Sequence, residues 1–124
     1  MYIFVGLGGA LGSILRYFLS NTIKNNGDFP LGTFIINILG SFLIGLIAFY
    51  AEKNNLDSRL VLFLKVGFCG GFTTFSTFAF EIFKMGESNK FGTGLFYAGF
   101  SIILSLIAIY LAREIVIKVF WNKI

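Results

Sequence analysis

Four long apolar stretches alternate with short polar ones along the chain, and this pattern predicts four membrane-spanning helices. The apolar stretches run from about Tyr2 to Ser20, from Leu31 to Ala51, from Leu60 to Phe83 and from Gly92 to Ala112. Each is close to the roughly 20 residues that a helix needs to cross the hydrocarbon core of a bilayer. The polar connectors between them lie at Asn21 to Asp28, Glu52 to Arg59 and Lys84 to Lys90. We therefore expect an all-α membrane protein, with a single four-helix transmembrane domain over residues 1–124.

The composition indicates that lipid is the solvent of these helices. Of the 124 residues, 56% are hydrophobic and 13% are charged, and the mean hydropathy is +0.85. Soluble domains carry roughly a quarter charged residues, and a chain this small has too little interior to hide the excess apolar surface. The absence of His and the single Cys exclude Ser-His-Asp and Cys-His catalysis within this chain, as well as a metal site built from several cysteines. We expect a membrane protein that is not an enzyme.

The distribution of cations bears on the orientation of the spans. An even number of spans places both termini on one side of the membrane, and that side holds six Lys and Arg residues against four on the other. The positive-inside rule normally produces a clearer asymmetry. Two interpretations follow: one cation decides a single orientation, or the chain inserts in both orientations. Because the cations are scattered singly, the net charge of +4 favours membrane anchoring over nucleic-acid binding.

Small residues recur four apart in three of the spans. The pairs are Gly8 and Gly12, Gly9 and Ser13, Ser41 and Gly45, and Gly67 and Gly71. This spacing lets membrane helices approach closely, so we expect a tightly packed bundle. The run from Gly6 to Gly12 superficially resembles a dinucleotide-binding fingerprint, but its third small position is Leu11 and no strand precedes it.

Asn37 is a polar residue inside the uncharged second span. An amide in lipid is costly unless it has hydrogen-bond partners. Two uses of the side chain fit this position. It can hold the bundle together through an interhelical hydrogen bond, or its NH2 group can face a pore and donate to an anion.

The third span contains the most unusual segment of the chain, from Gly67 to Phe78. It has adjacent glycines and four hydroxyl residues, which are poor material for a continuous helix. An interruption at mid-membrane is tolerated only where protein, water or an ion satisfies the freed backbone groups. Broken helices of this kind present carbonyls to cations and N–H groups to anions. We predict a helix broken within this segment by its glycine and hydroxyl residues, with a flexible kink as the alternative.

Aromatic and hydroxyl side chains share helix faces in the third and fourth spans. Phe75 and Phe78 are three residues apart, so their rings either contact lipid or core, or turn their positive edges towards an anion. Tyr97, Ser101 and Ser105 are four apart on one face of the fourth span. These hydroxyls either hold the bundle together or line an ion path.

With these motifs, the chain resembles the small bacterial fluoride channels of the Fluc (CrcB) family over essentially all four spans. The resemblance depends on Gly9-Ala10-Leu11-Gly12-Ser13 with Arg16-Tyr17, on Gly32-Thr33 with Asn37 and Gly40-Ser41-Phe42, and above all on the stretch from Gly67 to Phe78. Phe72 stands where a Leu is common in the family. The resemblance implies an antiparallel, dual-topology homodimer in the cell membrane, with two pores that let fluoride leave the cytoplasm passively.

The resemblance also implies roles for individual residues. The backbone carbonyls of Gly70 and Thr73 match those that hold a central sodium ion, which is structural and not transported. The expected fluoride pathway comprises Asn37, Phe75, Phe78, Thr77, Tyr97, Ser101 and Ser105. Arg16 matches a vestibule arginine, and Glu81 and Thr74 are expected to support the pathway from beside it.

Two other functional classes have the right size. A small multidrug–proton antiporter requires a membrane-embedded carboxylate in the first span, and this first span has none. A non-transporting scaffold subunit would account for the glycine pairs but not for Asn37 together with a broken third span. The favoured interpretation is a fluoride channel, with Na+ as cofactor, with fluoride, the bilayer and a second copy of the chain as partners, and without nucleic acid.

Overall fold

The computed structural model describes residues 1–25 and 27–121, and in these ranges the chain forms helices and no β-strand. Helix α1 spans Tyr2–Thr22, α2 spans Leu31–Asn54 and α5 spans Phe91–Trp121. The third apolar stretch forms two helices, α3 over residues 58–72 and α4 over Phe75–Glu87. The chain thus has four helical spans that are long and apolar enough to cross a membrane, which confirms the predicted architecture.

Helix α3 changes its winding along its length. Ser58–Val61 form an α-helical turn, capped by Asp57, whose Oδ1 accepts from the backbone N–H of Arg59 at 2.7 Å. Leu62–Cys69 are π-helical, and Gly70–Phe72 return to α-helical geometry. The π-helical segment was not predicted, because nothing in its mainly apolar sequence distinguishes a π-helix from an α-helix.

The third span is interrupted at Thr73 and Thr74, within the segment where a break is predicted. Both residues are extended, with φ and ψ of −84° and 158° at Thr73 and of −147° and 122° at Thr74. The prediction that the adjacent glycines break the helix is wrong, because Gly70 and Gly71 are both helical. The β-branched threonines suit extended geometry, and their hydroxyls compete with the helix for backbone hydrogen bonds.

Small residues bring α1 and α3 into direct backbone contact. Gly8 faces the carbonyl of Phe63, and Gly12 faces the carbonyl of Phe68, so a Cβ at either position would overlap main-chain atoms. From the other helix, Gly71 faces the main chain of Gly9. The close packing predicted from the small-residue pairs is therefore confirmed for these two helices.

Helix α5 is longer than the hydropathy predicts. The apolar stretch ends near Ala112, but the helix continues to Trp121. Arg113 and Glu114 lower the hydropathy at this point, yet both are good helix formers. Their side chains also pair, with Nη1 and Oε1 3.2 Å apart.

The buried core is small and most large apolar side chains face outward. One buried cluster contains Phe78, Met85 and Tyr97, with Phe29 and Phe34 packed against it. Large apolar residues on the outer faces of all four spans are exposed in the single chain. Apolar surface of this extent marks a contact with lipid or with another protein.

Candidate functional site

An open cleft of about 640 Å³ lies beside the break in the third span. Its wall is formed by residues of α2, α3, α4 and α5 together with the two threonines of the break. Between its polar groups the wall is mainly aliphatic. The residues singled out in the sequence that line it are Asn37, Gly70, Thr73, Thr74, Phe75, Phe78, Ser101 and Ser105.

The side chain of Asn37 joins α2 to the break. Its Oδ1 accepts from the N–H of Thr74 at 2.9 Å, and its Nδ2 donates to the carbonyl of Thr74 at 3.0 Å. These bonds satisfy main-chain groups that the extended backbone cannot satisfy within a helix. An amide NH2 carries two N–H bonds, so one of them is left for a ligand in the cleft.

At the break, two backbone carbonyls lack the N–H donors that they would have in a continuous helix. In a continuous α-helix, each carbonyl accepts from the N–H four residues later. The N–H of Thr74 donates instead to Asn37, and the N–H of Thr77 donates to Thr74 Oγ1 at 3.3 Å. The carbonyls of Gly70 and Thr73 therefore lose the donors that an uninterrupted helix would give them.

Arg16 reaches the broken span from α1. Its Nε donates to the carbonyl of Gly71 at 3.0 Å. Hydrogen bonds with a charged donor are stronger than those between neutral groups, so this contact stabilises the end of α3. Arg16 is not part of the described wall of the cleft, and its vestibule role stays a prediction.

The two phenylalanines of the third span differ in exposure. Their ring centroids are 5.9 Å apart, with an angle of 45° between the planes. Phe75 is 79% exposed, whereas Phe78 is 9% exposed and packs against Tyr97 with centroids 5.1 Å apart. Phe75 therefore stands at the open side of the cleft and Phe78 at its inner wall.

The three hydroxyl residues of α5 lie in different surroundings. Tyr97 is fully buried among aromatic rings, including Phe29 at 5.4 Å and Phe78, and does not line the cleft. Ser101 is buried in the cleft wall, where Ser105 is partly exposed. The hydroxyl of Tyr97 lies close to the carboxylate of Glu81 and the hydroxyl of Thr33. The hydroxyl of Ser101 has no hydrogen-bond partner within the described ranges. Since buried polar groups normally have partners, the Ser101 hydroxyl has bonding capacity to offer.

Glu81 and Thr77 lie outside the cleft. Glu81 lines a second cavity, of about 240 Å³, together with Lys84 and Lys90. Its Oε1 is buried, and its carboxylate lies close to the hydroxyls of Thr33 and Tyr97. Thr77 is exposed. The structure therefore does not bring these two side chains into one wall with Asn37.

A family model now connects this geometry with known proteins. The model described as CrcB-like protein, Camphor Resistance (CrcB), matches residues 3–113. The chain belongs to the CrcB family. Apart from Tyr2, the match includes all four apolar stretches, and it includes every site residue named above, so it covers the break and the cleft of this CrcB chain as well.

Several relatives are named fluoride-specific ion channel FluC. The one from Bacteroides fragilis is 42% identical over 112 residues, which cover 86% of this CrcB chain and 88% of the relative. The one from Ignicoccus hospitalis is 38% identical over 113 residues, covering 91% and 92%. FluC 2 of Clostridium acetobutylicum is 41% identical over 116 residues, covering 92% and 96%. The chain is thus a multi-pass integral protein of the cell membrane, from a family of channels and not of enzymes.

The cleft of this CrcB chain contains further residues that the sequence interpretation did not place there. Ser41 donates to the carbonyl of Asn37 at 2.8 Å, and Gly40 faces Thr73 so closely that a Cβ would overlap its side chain. The spacing of Gly40 and Ser41 could have predicted their place in the cleft, because both follow Asn37 by about one helical turn and lie on the same face of α2. Lys65, one of the six Lys and Arg residues counted above on the side of the termini, also lines the cleft.

Proposed function

We propose that this chain is a fluoride-specific channel that gives passive export of fluoride from the cytoplasm and lowers intracellular fluoride. The observation that carries the proposal is the cleft, in which an amide and serine hydroxyls stand among aliphatic and aromatic side chains. The names of the relatives support fluoride as the ion.

Fluoride is small, so the loss of its water is costly and a selective path has to supply replacement donors. Asn37 offers its second N–H, and the hydroxyl of Ser101 is buried without a partner among the described residues. The ring edges of Phe75 and Phe78 carry positive partial charge and supply weaker contacts. Weak binding at several positions lets an ion leave as well as enter.

A structural sodium ion is part of the proposal. The carbonyls of Gly70 and Thr73 lose their α-helical donors at the break, and unwound carbonyls are ligands that Na+ accepts in membrane proteins. Apart from its chain neighbours and the backbone of its own helix, no described atom lies within 4 Å of the place where a Cβ of Gly70 would stand, so this side of the helix is open. When bound, the ion supplies positive charge beside the anion path.

An antiparallel second copy is the proposed cover of the cleft. In the single chain the cleft is open and Phe75 is 79% exposed. The nearly balanced Lys and Arg residues support insertion in both orientations. Two inverted copies would form a site near the bilayer midplane, as inverted repeats do in larger transporters.

Fluoride efflux from liposomes tests the proposed function. With the purified chain reconstituted, sodium present and the potential clamped by a potassium ionophore, we expect release of fluoride but not of chloride.

Phe75→Ile or Phe78→Ile should lower the rate of fluoride release about tenfold, equal to about 1.4 kcal/mol of barrier, because the aliphatic side chain has no positive edge. Phe83→Ile is the matched control, since Phe83 is exposed on α4 and does not line the cleft. A folded wild-type protein without fluoride release would refute the function.

A further inference from the structure

One cation lies in the cleft. Among the described residues that line it, Lys65 alone carries a formal charge. Its side chain is exposed, and it forms no hydrogen bond or salt bridge within the described ranges. A charged side chain inside a membrane span is costly to maintain and usually faces a water-filled cavity. The ammonium of Lys65 is therefore free to act on whatever occupies the cleft.

The π-helical winding of α3 keeps Lys65 on the face that lines the cleft. The residues of α3 and the break in the cleft wall follow each other at intervals of four: Lys65, Cys69 and Thr73, and Val66, Gly70 and Thr74. In a regular α-helix, residues eight positions apart are rotated by roughly 80° about the axis. Leu62–Cys69 are π-helical, and the i→i+5 bonding of a π-helix rotates the chain less per residue, so this offset is reduced. Helical defects of this kind often occur at functional sites.

The position of Lys65 along α3 bears on how it can act on an anion at the break, by direct contact or through its charge at a distance. Eight residues separate it from Thr73, which corresponds to at most about 12 Å along the helix axis at the rise of an α-helix. This is close to the Debye length of about 10 Å at 0.1 M salt. A cation in a cleft with low-dielectric walls raises the local concentration of anions. No acidic side chain in the described wall of the cleft opposes it.

We propose that Lys65 is an anion-recruiting residue of this channel, which concentrates fluoride in the cleft before the ion meets Asn37 and Ser101. The proposal depends on the proposed function, because it takes fluoride as the transported ion. In this proposal Lys65 raises the concentration of fluoride in the cleft, and the uncharged donors select fluoride over other anions.

The test compares fluoride efflux of the wild type, Lys65→Gln and Lys65→Arg at low and high ionic strength, set with impermeant salts. At about 10 mM salt the Debye length is about 30 Å, and we expect Lys65→Gln to lower the initial rate at least threefold while Lys65→Arg keeps it. At about 1 M salt the Debye length is about 3 Å, and the difference should disappear. Lys118→Gln is the matched control, because it removes one exposed cation of α5 that does not line the cleft.

The outcomes separate this proposal from the function on which it depends. Equal rates for wild type and Lys65→Gln at low salt would refute recruitment and leave the channel function intact. A loss in Lys65→Gln that is equally large at both salt concentrations would also refute it, because a packing defect is not screened. If Lys65→Gln does not reconstitute, Lys65→Met keeps the aliphatic stem and serves the same comparison. Absence of flux in the wild type would refute the channel function, and the recruitment role with it.

Discussion

At the residue scale, one amide replaces the hydrogen bonding that a continuous third helix would provide. Asn37 accepts from the N–H of Thr74 and donates to its carbonyl. The sequence leaves two uses of this amide open, an interhelical bond or a donor for an anion. In the structure, one N–H of Asn37 forms the interhelical bond to Thr74. An amide NH2 group has a second N–H, so the interhelical bond does not exclude donation to an anion.

Replacement of Asn37 tests how much the break depends on it. Asn37→Leu keeps a similar volume but leaves the N–H and the carbonyl of Thr74 unpaired, so we expect a loss of about 1–3 kcal/mol of stability. Thermal unfolding of the purified protein in detergent measures this loss. Ser41→Ala is the control, because the Ser41 hydroxyl only makes a bond within its own helix, to the Asn37 carbonyl. Equal melting temperatures for both variants would contradict a structural role of the amide.

At the element scale, the contact between α1 and α3 is made by main chains and not by side chains. Gly8 and Gly12 face carbonyls of the neighbouring helix. In lipid, where apolar side chains gain little from leaving the solvent, such close approach is a main source of helix association. These glycines therefore stabilise the helix pair because they lack a Cβ and let the two backbones approach closely, and not because they break a helix.

Two alanine substitutions in α1 separate these effects. Gly12→Ala places a Cβ against the carbonyl of Phe68, so we expect a destabilisation of about 1–3 kcal/mol or more. Gly6→Ala lies in the same helix with no neighbour within 4 Å of its Cβ, and should be neutral or stabilising by about 0.5–1 kcal/mol. Melting temperatures of the two proteins give the comparison. A tolerated alanine at position 12 would mean that the helices are not held by this contact.

The elements also show how far a sequence interpretation reaches. The four spans follow from hydropathy, and a break in the third span follows from its glycine and hydroxyl residues, but its position at Thr73 and Thr74 does not. The π-helical winding of Leu62–Cys69 could not be predicted, because the apolar residues of this segment fit an α-helix equally well. The positions of Thr77 and Tyr97 outside the cleft also escaped prediction, since spacing along a helix does not fix which cavity a side chain meets.

At the scale of the whole molecule, the single chain presents an incomplete surface. Its cleft is open, and large apolar side chains such as Phe75 are exposed beside it. The number of positive charges differs little between the two sides, with six Lys and Arg residues on one and four on the other. Both observations favour pairing with a second copy in the opposite orientation.

A topology reporter tests this arrangement in cells. Fused after residue 124, it should be detected on both faces of the membrane in comparable amounts, because the charge bias is weak. Three lysines added to the connector between α2 and α3 should shift the chain towards one orientation. A reporter found on one face only, in the unmodified chain, would contradict the antiparallel dimer.

The hydrogen bonds at the break have a consequence for the order in which the protein assembles. The carbonyl of Gly71 depends on Arg16 of α1, and Thr74 depends on Asn37 of α2. A span that enters lipid alone has to satisfy its own backbone, so we expect the third span to be inserted as an uninterrupted helix. We expect it to open when α1 and α2 dock against it and supply these bonds. A chain that fails to assemble should then keep this helix continuous and leave the membrane around it impermeable.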